Sequence, residues 1–139
     1  RCMSGYLLDT NILVFMLRGM RPSLIGRLAG FEPGGLCVSV CTVAELVHGC
    51  HKSSDPRRNY LALLEFLLPY RILDWKNRDV ESYALIRAGL EKMGTPIGTI
   101  DTFIAAQARS RGLTLITNNV REFARVPGIT IEDWSQAGE

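Results

Sequence analysis

The sequence predicts an α/β fold: a mostly parallel sheet of about five strands, covered by helices on both faces. Two observations carry this. Short, unbroken apolar runs recur along the chain, and each is followed by a segment with helical periodicity. Strands buried on both faces read as continuous apolar runs rather than as alternating ones, and helices between such strands supply parallel crossovers.

The elements follow in order. Gly5 to Leu8 reads as a short buried strand, and Asn11 to Leu17 as a helix closed by Gly19. Pro22 opens a short helix reaching Ala29; its missing N–H is harmless in a first turn. Glu32-Pro33-Gly34-Gly35 is a turn, Leu36 to Ser39 a second strand, and Thr42 to His48 a helix stopped near Gly49. Asp55-Pro56 combines a cap with a first-turn proline, and Leu61, Leu64, Leu67 and Leu68 form that helix's stripe before Pro69 ends it. Arg71 to Leu73 is a third strand. Asn77 caps a helix with Tyr83, Ile86, Leu90 and Met93 on its buried face. After the loop Gly94-Thr95-Pro96-Ile97-Gly98, Ile100 to Arg109 is helical and Arg111-Gly112 closes it. Leu113 to Ile116 and Ile129 to Ile131 complete the strands, the last after a Pro127-Gly128 turn.

A chain of 139 residues, 47% hydrophobic and 22% charged, fits one domain over 1–139, with Arg1-Cys2 read as a cloning leftover before a natural start at Met3. The net charge of +2 names no partner, but Arg supplies thirteen of the sixteen basic residues, which suits bidentate contacts to phosphate or carboxylate as well as solvated helix faces. Cys2, Cys37, Cys41 and Cys50 form no C-x-x-C pair, so a reduced, cytoplasmic protein is expected. Asp9 and Asn11 interrupt anything resembling a signal peptide, and no apolar run approaches the roughly 18 residues of a membrane span. Cys41, His48, Cys50 and His51 do not make a zinc site, because one helix cannot point all four inward. His48 and His51 read as surface or helix-end residues.

Three acids stand in apolar surroundings: Asp9 after Tyr6-Leu7-Leu8, Glu45 within Val43-Ala44-Glu45-Leu46-Val47, and Asp101 between Ile100 and Phe103-Ile104. Each has an ordinary reading. Asp9 can cap a helix, Thr42-x-x-Glu45 fits a capping box, and Asp101 suits a helix's first turn. Together, though, all three can lie at the carboxyl ends of the strands, where open parallel sheets bind ligands. Clustered carboxylates repel, and a hard divalent cation relieves the repulsion. Oxygen-only ligands favour Mg²⁺ or Mn²⁺, which points to phosphodiester hydrolysis by a metal-activated water. A phosphatase using a strand-one aspartate as nucleophile needs a second Asp two residues on, where this chain has Asn11.

Leu7-Leu8-Asp9-Thr10-Asn11, Ser39-x-x-Thr42-x-x-Glu45-Leu46, Gly98-Thr99-Ile100-Asp101 with Ile104-Ala105-Ala106, and Arg111-Gly112-Leu113-Thr114-Leu115-Ile116-Thr117-Asn118-Asn119 resemble the PIN-domain ribonucleases, and among them the VapC-type toxins of toxin–antitoxin pairs. The resemblance extends to Glu122-Phe123, Val126-Pro127-Gly128 and Glu132-Asp133-Trp134. It implies a three-layer α/β/α domain that cleaves RNA, often tRNA, with Mg²⁺ or Mn²⁺ held by Asp9, Glu45 and Asp101. The family's further acidic position falls at Asn119, an amide here. Thr10, Asn11, Thr117 and Asn118 would hold the carboxylates in place. The resemblance also implies a homodimer and a cognate antitoxin, with operator DNA bound only through the toxin–antitoxin complex and no membrane. Arg57, Arg58, Arg109, Arg111, Arg121 and Arg125 are candidate grips on the RNA backbone. The alternative is a non-catalytic RNA- or partner-binding module of the same fold.

Overall fold

The computed structural model describes residues 5–19, 22–28, 30–31 and 33–134. The expectations for Arg1, Cys2, Met3, Ala29 and Glu32 lie outside the described residues. Five strands form one parallel sheet: β1 (Tyr6–Leu8), β2 (Leu36–Ser39), β3 (Arg71–Leu73), β4 (Thr114–Ile116) and β5 (Thr130–Glu132). Their spatial order is β3-β2-β1-β4-β5. The chain therefore steps outward from β1 to β3, then returns to the other side of β1 for β4. That reversal opens a crevice beyond the ends of β1 and β4, where open α/β sheets place their ligands.

Among the described residues seven α-helices connect the strands: α1 (Thr10–Leu17), α2 (Pro22–Leu28), α3 (Val40–Lys52), α4 (Pro56–Leu67), α5 (Asn77–Lys92), α6 (Thr99–Arg111) and the single turn α7 (Val120–Phe123). Alternation along each strand sends successive side chains to opposite faces, and two cores result. Leu7, Cys37, Leu73 and Leu115 pack with Ile86 and Leu90 of α5 and Ile104 and Ala105 of α6. Leu8, Val38 and Ile116 pack with Ile12 and Leu13 of α1, Leu24 and Leu28 of α2, and Trp134. The domain is thus a three-layer α/β/α sandwich. On the second face the Trp134 ring stacks on Phe31 at 4.9 Å and Arg27 lies 4.6 Å over it, so the last described residue anchors the chain after β5. Among the described residues, no helix is long and apolar enough to cross a membrane.

Local chemistry sets the helix ends. The Asp9 carboxylate accepts from Thr10 N at the start of α1, and Pro56 follows the cap Asp55 in α4. Gly112 takes φ 66° after α6, a conformation that favours glycine, while Leu113 N donates to Ala108 O. Several boundaries differ from the sequence reading. Helix α3 starts at Val40 because the Ser39 hydroxyl accepts from Cys41 N, so Thr42 and Glu45 lie inside the helix and form no capping box. It also runs through Gly49 to Lys52. Helix α5 is entered from Lys76, whose N–H donates to the Asp79 carboxylate, so Asn77 is already helical. Met93 is 66% exposed rather than inward. In α4, Leu63 joins Leu67 as a buried residue, whereas Leu61, Leu64 and Leu68 face solvent.

Candidate active site

Asp9 follows β1 and caps α1, at the point where the strand order reverses. It is 2% exposed. One carboxylate oxygen accepts from Thr10 N at 2.7 Å and the other from the Thr117 hydroxyl, also at 2.7 Å. Thr117 follows β4 and is itself fully buried, its hydroxyl accepting in turn from Asn119 N. Two neighbouring strand ends thus orient a single carboxylate. Burial pushes the Asp9 carboxyl above its ordinary range, and the hydrogen bonds from Thr117 and Thr10 oppose that rise. Thr10 adds a second tie, its hydroxyl lying 3.0 Å from that of the buried Thr42 on α3.

Asp101 sits in the first turn of α6 and is half-buried. Its carboxyl is pushed up to about 6, first by burial, then by the negative charges of Asp9 and Glu122 and a hydrogen bond with Glu122. Asp9 and Asp101 are 92 residues apart in sequence (101 minus 9), and the fold brings them within electrostatic reach. Glu122 is a site residue to which the sequence reading gave no role. It lies on α7, and Asn119 Nδ2 reaches its Oε1 at 3.4 Å. A further carboxylate, that of Glu122, thus stands beside Asp101, within reach of the Asn119 amide. The signal was the i, i+3 spacing of Asn119 and Glu122, which only matters once residues 120–123 are known to form a helical turn.

The other candidates are distributed differently. Glu45 is exposed on α3, and the charges acting on Asp101 come from Asp9 and Glu122. Asn11 is exposed at the start of α1. Asn118 is half-buried, with its side-chain oxygen enclosed and unpartnered. Arg111 is withdrawn as an RNA contact. Its guanidinium is 7% exposed and pairs at 2.7 Å with Asp79, which is fully buried, while also donating to Asp74 O. Burial alone would raise the Asp79 carboxyl, but Arg111, the Ser110 hydroxyl and Lys76 N hold it below its ordinary value. Arg125 donates to Pro96 O at 3.1 Å and so ties the segment after α7 to the loop before α6. Arg109 lies along the Gly128 turn, within 3.3 Å of where a Cβ would stand. Arg57, Arg58 and Arg121 are exposed. His51 lies against Tyr60, with ring centroids 6.1 Å apart.

The donor set around the crevice is carboxylate oxygen, which suits a hard cation, and mutual repulsion at Asp101 is what such a cation relieves. Among the described residues, no three of His, Cys, Asp and Glu form a ready-made cage. Mg²⁺ does not need one, since it commonly binds through one or two carboxylates and keeps several waters. Asp9 and Asp101 fit that requirement, with Glu122 in contact with Asp101.

Fold and site together define an open α/β domain with an acidic crevice at the carboxyl end of a parallel sheet. The sequence matches the family described as PIN domain over residues 6–129. It is 39% identical to the tRNA(fMet)-specific endonuclease VapC of Shigella flexneri, over 96% of this chain and 100% of that protein. Against ribonuclease VapC2 of Haemophilus influenzae it is 41% identical over 95% of this chain and 99% of that one. The crystal structure of DNA-bound VapBC from Salmonella typhimurium superposes with a TM-score of 0.88 at 39% identity, covering 95% and 99% of the two chains. The chain belongs to the PIN-domain family, in its VapC branch.

Proposed function

We propose that this protein is an endoribonuclease that hydrolyses RNA phosphodiesters with a divalent cation, Mg²⁺ or Mn²⁺, and acts as the toxin of a toxin–antitoxin pair in the cytoplasm. The observation that carries the reading is the buried Asp9 carboxylate, oriented by Thr117 and Thr10 and set within electrostatic reach of Asp101. An aspartate this enclosed beside a second carboxylate is unfavourable in isolation, and a cation gives the pair both stability and a use. When bound, such an ion supplies a more acidic water and offsets charge gathering on the phosphate. Asp9 and Asp101 would hold it. Thr117 fixes the direction of the Asp9 lone pairs, and Asn119 keeps Glu122 against Asp101. Thr10, through Thr42, ties the start of α1 to α3, the helix that carries Glu45. For Glu45 to act as a third acid, its side chain must turn inward from that exposed position.

The relatives' names support RNA as the substrate, with tRNA favoured by the Shigella protein. The VapBC complexes, two of them bound to DNA, support an antitoxin partner and operator binding through the complex. A groove of about 480 Å³ between α1, α3 and α4, walled by Val14, Leu17, Leu46, Ala62 and Leu63, offers an antitoxin an apolar seat. The purified chain is expected to cut structured RNA when Mg²⁺ or Mn²⁺ is added, and Asp9→Asn or Asp101→Asn is expected to abolish cutting while leaving a folded protein. Cleavage that survives either substitution, or persists in excess EDTA, contradicts the mechanism. The exposed Glu45 favours one rival, a non-catalytic RNA- or partner-binding module; RNA binding without any metal-dependent cutting would select it.

A further inference from the structure

A recess that the acidic crevice does not use opens between α5 and the loop leading into α6, with a volume of about 100 Å³. That is room for several waters, on the scale of one nucleobase rather than of a folded strand. Tyr83, Pro96 and Ile97 give it flat, apolar walls, and Arg87 and Glu91 supply a polar edge. Thr99 and Thr102, which also line it, bracket Asp101 in the first turn of α6. A Cβ on Gly98 of the same loop would stand 3.6 Å from Asp101 Oδ2, so the loop has the recess beside it and the catalytic candidate against it.

The walls are held in place. The Tyr83 ring stacks on Phe103 with centroids 4.4 Å apart and planes 15° from parallel, and Trp75 meets both rings edge-on. Arg87 donates from Nη1 to the Tyr83 hydroxyl at 2.9 Å and from Nε to Glu91 Oε2 at 3.0 Å. Those bonds use two of the five guanidinium N–H groups and one Glu91 oxygen. Spare donors and a spare anionic acceptor therefore stand side by side next to an aromatic ring.

We propose that this recess is a base-binding subsite for an unpaired guanine of the RNA, positioned close to the phosphate at the acidic crevice. The inference rests on the RNA-cleaving function proposed above. Single-stranded RNA is recognised by stacking bases on aromatic rings and reading their exposed edges. Guanine alone sets two adjacent N–H donors beside a carbonyl oxygen. The Glu91 carboxylate accepts from the donors, and Arg87 donates to the oxygen, one of the two guanine acceptors that Arg reads in duplex DNA.

Binding of the labelled RNA pentamers UUGUU, UUAUU and UUUUU, followed by fluorescence anisotropy in EDTA so that nothing is cut, tests the proposal. The wild-type chain should hold UUGUU at least about fivefold more tightly than the other two. Arg87→Met and Glu91→Gln, both at exposed side chains, should erase that preference, bringing the affinity of each variant for UUGUU down to its own affinity for UUUUU. Equal affinity of the wild type for all three RNAs overturns the subsite, as does a preference that survives both substitutions. So does loss of self-association in the variants without any base preference, which would make the recess a protein interface. Cleavage of RNA with Mn²⁺ is scored separately. If the chain cuts RNA without a guanine preference, only the subsite falls; if it prefers guanine but never cuts, the nuclease function falls.

Discussion

Replacing Asp101 with Asn should stabilise the metal-free protein while destroying its activity. The Asp101 carboxyl is raised from 3.8 to about 6, first by burial and then by Asp9 and Glu122. At 1.36 kcal/mol per pH unit, that rise amounts to about 3 kcal/mol held against folding. The side chain is only half-buried, so solvent screening reduces the expected effect to about 1 kcal/mol. The sign follows from proton counting. Below pH 3.8 the carboxyl is protonated in both folded and unfolded chains and costs nothing. Between 3.8 and about 6 the folded chain keeps the proton that the unfolded chain has lost, so stability falls as pH rises. Above about 6 the whole cost is present. Urea unfolding in EDTA should therefore show Asp101→Asn more stable than wild type at pH 8, with the advantage nearly gone at pH 4. Saturating Mn²⁺ should reverse the order, because an ion at 100 times its Kd adds about 2.7 kcal/mol to the wild type. A variant less stable at pH 8 in EDTA, or equally advantaged at both pH values, would refute the electrostatic reasoning.

Other substitutions probe the supports of the site. Arg111→Met leaves the buried Asp79 carboxylate without its cation and should cost about 3–5 kcal/mol in urea unfolding. The affinity of the remaining folded protein for RNA should stay unchanged. Thr117→Val removes the hydroxyl that donates to Asp9, which should lower stability by about 1–3 kcal/mol and weaken Mn²⁺ activation. Thr117→Ser should restore both, and equal Mn²⁺ dependence in the Val variant would count against the orienting role. Trp134→Ala empties the space between Phe31 and Arg27 and should lower stability by about 3–5 kcal/mol, read by thermal unfolding, without altering metal dependence.

The edge strands β3 and β5 are largely exposed and were legible from the turn residues that precede them, whereas burial on both faces writes β1, β2 and β4 as plain apolar runs. Asp9 stood out for the same reason, as an acid directly after such a run. The errors have physical causes. In α4, leucines at 61, 63, 64, 67 and 68 support two overlapping helical stripes, and only the neighbouring α3 decides that Leu63 and Leu67 turn inward. Ser39 was readable as the end of a strand but also caps α3, which moved that helix's start and left Glu45 in its interior. Arg111 looked like a last-turn surface cation because its partner Asp79 lies 32 residues away. Glu122 went unassigned because a helix of four residues carries no periodicity to reveal it.

Whether the carboxylates around Asp9 hold a divalent ion is measured directly by titrating Mn²⁺ into the purified, EDTA-stripped chain, followed by calorimetry or electron paramagnetic resonance. Saturable binding in the wild type is predicted, greatly weakened by Asp9→Asn or Asp101→Asn and partly weakened by Glu122→Gln, each variant remaining folded. Mn²⁺ affinity unchanged by Asp9→Asn and Asp101→Asn would contradict it.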